Sequence, residues 1–181
     1  MTRHGLSAPK RGTSDELTPE RLRALPTTYV HPGQVCVSDA VGALVTILGS
    51  CVAVCLHDAI ARVGGLNHFL LPVTPAHATK ETAPRYAPTA IAALIDQMES
   101  RGGSRKRFTA RIIGGASVLA PFGDQKDHLG HRNVAAARQS LAAHGIVVTG
   151  TDIGGTRGRK LVFVPREGAV VVQLIGAGVR T

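Results

Sequence analysis

A chain of 181 residues is long enough for one domain with a sizeable core and short for two. Hydrophobic residues make up 44% and aromatics only 3%, with no Trp, so the core must be built from Val, Leu, Ile and Ala; no apolar stretch reaches the roughly 18 residues a bilayer span needs, which excludes membrane insertion. The net charge of +9 favours an acidic partner, but zinc-finger spacing, an aromatic stacking motif and a recognition helix are all missing, which argues against nucleic acid.

Residues 1–28 are rich in Thr, Ser, Pro, Arg and Lys without hydrophobic periodicity, and are expected to form a flexible basic tail ahead of a single domain over 29–181. No apolar run follows the charged start, so no secretory signal is expected. The three cysteines, Cys36, Cys51 and Cys55, make no disulfide framework, and the expected compartment is the cytoplasm. Tyr29, Val30, Val35 and Val37 predict a first strand with a turn at Pro32-Gly33, and residues 43–48 a second.

In LGSCVAVCLHD the side chains alternate. Val52, Val54 and Leu56 face one way, and Cys51, Ala53, Cys55 and His57 the other, as in a strand over 51–57 with one face in a core. GGLNHFLLP supplies the next strand, over 63–71, with His68 as its one ionisable side chain. If the two strands pair, His68 comes beside Cys51. A thiol is weakly ionised near neutral pH, and a neighbouring imidazole can activate it and later protonate a leaving group, so Cys51 and His68 are the candidate catalytic pair. Gly49 and Ser50 before the cysteine allow a tight turn whose backbone N–H groups approach a substrate.

Residues 72–87 read as a long loop bordering that strand. A helix is predicted over 89–100, with Ile91, Leu94, Ile95 and Met98 on one stripe and Pro88 in its first turn, then a strand over 108–113 ending at Gly114-Gly115. A loop over 121–131 precedes a second helix over 132–143. Strands follow at 146–148, 161–164 and 170–175, with a turn at Arg166-Glu167-Gly168 and with GGTRGRK as an exposed basic loop. Strands flanking two helices predict an α/β sandwich with a mixed or largely antiparallel sheet. Cys51, Cys55, His57 and His68 offer metal-ligand chemistry, but C-x₃-C within one strand is poor spacing for zinc, so neither a metal nor a cofactor is expected.

LGSCVAVCLHD, GGLNHFLLP, IIGGASVL at 112–119, LGHRN at 129–133 and GGTRGRK at 154–160 occur in the order in which similar blocks occur in the CheD family, the chemoreceptor glutamine deamidases of bacterial chemotaxis. The resemblance runs from about Val30 to the C-terminus. It implies a three-layer α/β/α fold similar to bacterial toxin deamidases. It also implies a cysteine-dependent protein-glutamine glutaminase that converts receptor glutamine to glutamate with release of ammonia through a thioester. The implied catalytic residues are Cys51, His68 and Thr46, with Gly49, Ser50, Val52 and Asn67 for the oxyanion and the substrate. The family Thr usually stands six positions before the Cys, which here is Val45; Thr46 is one residue later, so a bulge or altered loop must correct its face. Further implications are methyl-accepting chemoreceptors as substrates, a CheC-type phosphatase as a partner and a monomeric state. Receptor methylesterase activity with the same nucleophile, or a non-catalytic chemotaxis regulator, are the alternatives.

Overall fold

The computed structural model describes residues 18–117 and 128–175. Residues 1–17 of the expected tail, and most of the loop expected before the second helix, lie outside them. The rest of the expected tail is ordered into elements. Thr18 caps a short helix, α1 (Pro19–Ala24), by accepting the Arg21 N–H, with Pro19 at its first position. Strand β1 (Thr27–Tyr29) then pairs in parallel with β3 (Ala43–Leu48). Three consecutive residues of high strand propensity, Thr27, Thr28 and Tyr29, give this edge its extended form despite its polarity.

Among the described residues nine strands form two sheets. The first has the order β2-β5-β4-β6-β7: β2 (Gln34–Ser38), β5 (Val63–Phe69), β4 (Val52–Asp58), β6 (Thr109–Gly114) and β7 (Val147–Ile153). The second has the order β1-β3-β8-β9, with β8 (Gly158–Val164) and β9 (Ala169–Ile175). Each contains one parallel pair, β6 with β7 and β1 with β3, among antiparallel ones, so both sheets are mixed as expected.

The alternation in β4 decides the layering. Val52, Val54 and Leu56 meet α2 (Ala87–Ser100) and α3 (Leu129–Ala143) in one core that includes Ile91, Leu94, Ile95, Met98 and Leu141. Ala53 and Cys55 face the other way, into a second core with Leu44, Leu48, Leu161 and Phe163 of the smaller sheet. The layers therefore run helices, five-stranded sheet, four-stranded sheet. This corrects the α/β/α order that the resemblance implied: the third layer is a sheet, because β3, β8 and β9 carry alternating apolar residues that seal the inner face of β4 and β5. Tyr29, Ile47 and Ile175 on the outer face of that third layer are 43%, 48% and 36% exposed, and no described helix packs there.

Both helices start earlier than expected. α3 begins at Leu129 because His128 caps it, its Nδ1 accepting the His131 N–H. Strand β7 runs on to Ile153, through Gly150. The basic segment is not a solvated loop throughout. Arg159 lies within β8, only 5% exposed, and donates to Asp152 at 2.7 Å and to the carbonyls of Gly154 and Arg157.

Candidate active site

Thr46 belongs to the four-stranded sheet and His68 to the five-stranded one, and they meet in the space between. Thr46 pairs with Leu161 and shares its inward face; His68 pairs with Ala53 and shares the inward face of β4. Thr46 Oγ1 lies 2.8 Å from His68 Nδ1, and both side chains are buried. Val45, at the position expected for the family Thr, faces outward. No bulge is needed to bring Thr46 inward, because β3 and β4 lie in different sheets and no ladder register ties their phases together.

The hydrogen bonds fix the imidazole tautomer. The Thr46 hydroxyl has one proton and donates it to the Val30 carbonyl at 2.7 Å. Toward His68 it can therefore only accept, so Nδ1 carries a proton and the Nε2 lone pair is free. Nε2 is buried and has no hydrogen-bond partner. Burial lowers the His68 pKa to about 4, with the carbonyl of Val30 opposing the shift and His31 adding to it, so the ring is neutral near pH 7. The turn before β2 is tied to the His68 main chain, the Gly33 N–H donating to the His68 carbonyl at 2.7 Å.

Cys51 stands immediately before β4, in the turn that carries the chain from one sheet to the other. Ala53 pairs with His68 and Val52 with Phe69, so Cys51 takes the same inward face as His68, on the diagonal of the ladder, a spacing that long side chains bridge. Its thiol is half-buried. Burial raises the Cys51 pKa above its ordinary value, partly offset by a hydrogen bond from the residue's own backbone N–H. Cys55, on the same face, is fully buried and pushed well above the usual thiol range, as befits a core residue.

The carbonyls of the turn at Gly49, Ser50 and Cys51 are all tied down. The Gly49 carbonyl accepts the Ala116 N–H at 2.8 Å, the Cys51 carbonyl accepts the Gly115 N–H at 2.9 Å, and the Ser50 carbonyl accepts Asn133 Nδ2 at 3.0 Å. In a planar trans peptide the N–H points opposite to the C=O, so the N–H groups of Ser50, Cys51 and Val52 point away from those anchors. Gly114-Gly115 is not a generic turn. A Cβ at Gly114 would stand 2.3 Å from the Cys51 oxygen, and both glycines have positive φ, at 112° and 70°, so only Gly lets the chain come this close.

Asn67, expected beside the oxyanion, is not part of this constellation. It pairs with Val54 and so faces the helices, where its Oδ1 accepts the Val54 N–H at 2.8 Å. Adjacent residues of a strand project to opposite faces, so its neighbour His68 is on the other side of the sheet. Among the described residues no three His, Cys, Asp or Glu side chains gather as a metal would require. The residues that the sequence reading missed are Val30, whose carbonyl sets the tautomer, and Asn133. The LGHRN block contains Asn133, but nothing in the helix pattern distinguishes it from an exposed polar residue. A cavity of about 410 Å³ borders the Gly114-Gly115 turn, lined by Gly115, Gly154, Gly155, His128, His131 and Arg138 among others.

Comparison with known proteins adds a family. Residues 70–174 match the family model described as CheD, chemotactic sensory transduction. The chain is 44% identical over 145 residues to a probable chemoreceptor glutamine deamidase CheD 1 of Anaeromyxobacter dehalogenans, covering 80% of this chain and 82% of that one. It is 45% identical over 133 residues to a probable chemoreceptor glutamine deamidase CheD 1 of Burkholderia thailandensis, covering 72% of this chain and 56% of the relative, so it spans little more than half that protein's length. Among solved structures, a Neisseria meningitidis protein of family-model DUF152 aligns over 91% of this chain and 86% of its own at 16% identity, with a TM-score of 0.44.

Proposed function

The chain belongs to the CheD family, and from that membership together with the arrangement of Cys51, His68 and Thr46 we propose that it is a cysteine-dependent glutamine deamidase acting on chemoreceptors. The observation that carries the reading is the assigned tautomer: a neutral imidazole with its free Nε2 on the same face as the Cys51 thiol.

In this reading Nε2 takes the thiol proton as the sulfur attacks the carboxamide carbon of a receptor glutamine. The C–S bond forms while the carbonyl π bond opens to an oxyanion. N–H groups of the Ser50 to Val52 stretch face this charge, and one such donor is worth about 10² to 10³ in rate. Collapse breaks the C–N bond, and the Nε2 proton leaves with ammonia. His68 then removes a proton from water, which cleaves the thioester to glutamate and regenerates the thiol. Thr46 and Val30 hold the ring throughout. Because the low pKa of His68 and the raised pKa of Cys51 both favour neutral forms, the resting pair is thiol and imidazole, and base catalysis rather than a standing thiolate starts the reaction. The cavity that borders Gly115 carries Arg138, which suits an acidic receptor segment, in keeping with the net charge of +9.

The test is mass spectrometry of a chemoreceptor cytoplasmic fragment after incubation with the protein or with Cys51→Ala. A gain of about 1 Da at a defined glutamine, with the intact protein only, is expected for deamidation through a cysteine nucleophile. No gain, or an equal gain with Cys51→Ala, overturns the reading; release of methanol from a methylated fragment points to esterase chemistry at the same thiol.

A further inference from the structure

Of the proposed pair, His68 is held within β5, whereas Cys51 lies outside the ladder, in the turn before β4. Cys51 precedes β4 and Leu70 follows β5, so both lie just beyond the last rung of the β4 and β5 ladder, at Val52 and Phe69. One side chain spans them. Asn133, fully buried on α3, donates both Nδ2 protons: to the Ser50 carbonyl at 3.0 Å and to the Leu70 carbonyl at 2.9 Å. The first acceptor belongs to the peptide that carries the Cys51 N–H; the second lies two residues beyond His68. A primary amide is the one uncharged side-chain group with two protons fixed in a plane, and here both are used.

The helix is placed to aim that amide. Gly130, one turn earlier on α3, lies so close to the Gly115 carbonyl that a Cβ on it would be 2.4 Å from the oxygen, and Gly115 in turn donates to Cys51. α3 thus meets the Cys51 turn directly through Asn133 and, one helical turn earlier, indirectly through Gly115. We infer that Asn133 is a positioning residue of the deamidase, its carboxamide setting the separation between the Cys51 thiol and the His68 imidazole; this rests on the Cys51 and His68 reading above. Asn133 touches no reacting atom and acts through the two carbonyls. The LGHRN block acquires a role by this assignment, with Gly130 giving the close approach and Asn133 the clamp.

The isosteric change Asn133→Asp keeps the shape and replaces the NH2 that makes both bonds with a single oxygen, which faces the two carbonyls without a proton for either. Expected is a fall of about 10²-fold in kcat with KM within about twofold, since misplacement by about 1 Å costs that much in rate without touching the bound receptor. Alkylation of Cys51 by iodoacetamide, followed at the Cys51 peptide, gives a readout independent of the receptor. His68→Ala should slow it. Asn133→Asp should slow it in the intact protein and make no further difference in the His68→Ala background, because the clamp acts through the pair. Asn133→Ser, smaller and unable to reach both carbonyls, repeats the test if the Asp variant is poorly folded by thermal melting. If His68→Ala leaves alkylation and deamidation unchanged, the catalytic reading itself fails. If His68→Ala slows both while folded Asn133 variants do not, or slow them equally in both backgrounds, the clamp fails; so it does if neither variant folds, since Asn133 is then a determinant of the fold.

Discussion

Thr46 and His68 stand 2.8 Å apart, and the Thr46 hydroxyl has already given its proton to Val30. The threonine is an acceptor for the imidazole, and a donor only to the main chain. Thr46→Ser keeps both bonds and should retain activity within a few fold. Thr46→Val removes the acceptor beside Nδ1 and the hydroxyl donor to the Val30 carbonyl in a buried site, a loss of about 1–3 kcal/mol. Its kcat should fall by about 10-fold to 10²-fold, less than the 10² to 10⁴ expected for losing the base altogether. Steady-state deamidation by the two variants, with melting curves beside it, separates these effects.

The acid limb of kcat/KM should lie well below the ordinary histidine range. His68 is pushed from 6.5 to about 4 by burial, so it stays a free base at pH 5 and is lost only as pH approaches 4. A limb near pH 6.5 in the ammonia-release profile would show that the ring is solvated when it works.

Stability should follow the same group. The folded pKa is the lower one, so between about 4 and 6.5 the unfolded chain binds the extra proton. The contribution of His68 is complete above pH 6.5 and disappears as pH falls through 4, on the order of 3 kcal/mol in all. Urea melts at pH 7 and pH 4.5 should differ by most of this, and the difference should shrink in His68→Phe.

Asp58 makes a contrasting prediction. Its buried carboxylate accepts from Arg107 and from the N–H groups of Ile60, Ala61 and Ser104, which hold it well below the usual carboxylate range against the opposing effect of burial. It stands at the far end of β4 from Cys51, about 20 Å along a strand that rises ~3.3 Å per residue. Asp58→Asn should cost about 1–3 kcal/mol in a denaturant melt and leave kcat on a receptor fragment unchanged.

Gly130→Ala introduces a Cβ where the Gly115 carbonyl stands. Helix propensity favours Ala by about 1 kcal/mol, but overpacking against fixed backbone typically costs about 1–3 kcal/mol, so a net loss of stability is expected. Because Gly115 is bonded to Cys51, deamidation should fall by more than the melting shift explains.

The sequence shows its strands more readily than it shows what those strands face. In β4 the alternation of Val52, Val54 and Leu56 against Cys51, Ala53 and Cys55 is plain, and it sorts the two cores correctly. Alternation cannot say what covers each face. Leu161, Phe163, Val170 and Val172 would alternate in the same way under a helix, and only pairing with β3 makes them a second sheet. That Cys51 and His68 share a face was legible from the same alternation, given the pairing of the two strands. Asn67 was misplaced by its nearness to His68, although the strand period already put it on the other face. Arg159 read as solvated because the Asp152 carboxylate and the Gly154 and Arg157 carbonyls that receive it are positions only the fold determines.

The clamp and the triad draw on all three layers: Thr46 from one sheet, His68 from the other, Asn133 from a helix. Their contacts close over 22, 63 and 83 residues of chain. Contacts of such long range form late in folding, after loop closure has been overcome. On the proposed reading, a partly unfolded chain therefore carries Cys51 without Thr46, His68 and Asn133 gathered about it, and deamidation should require the complete tertiary structure.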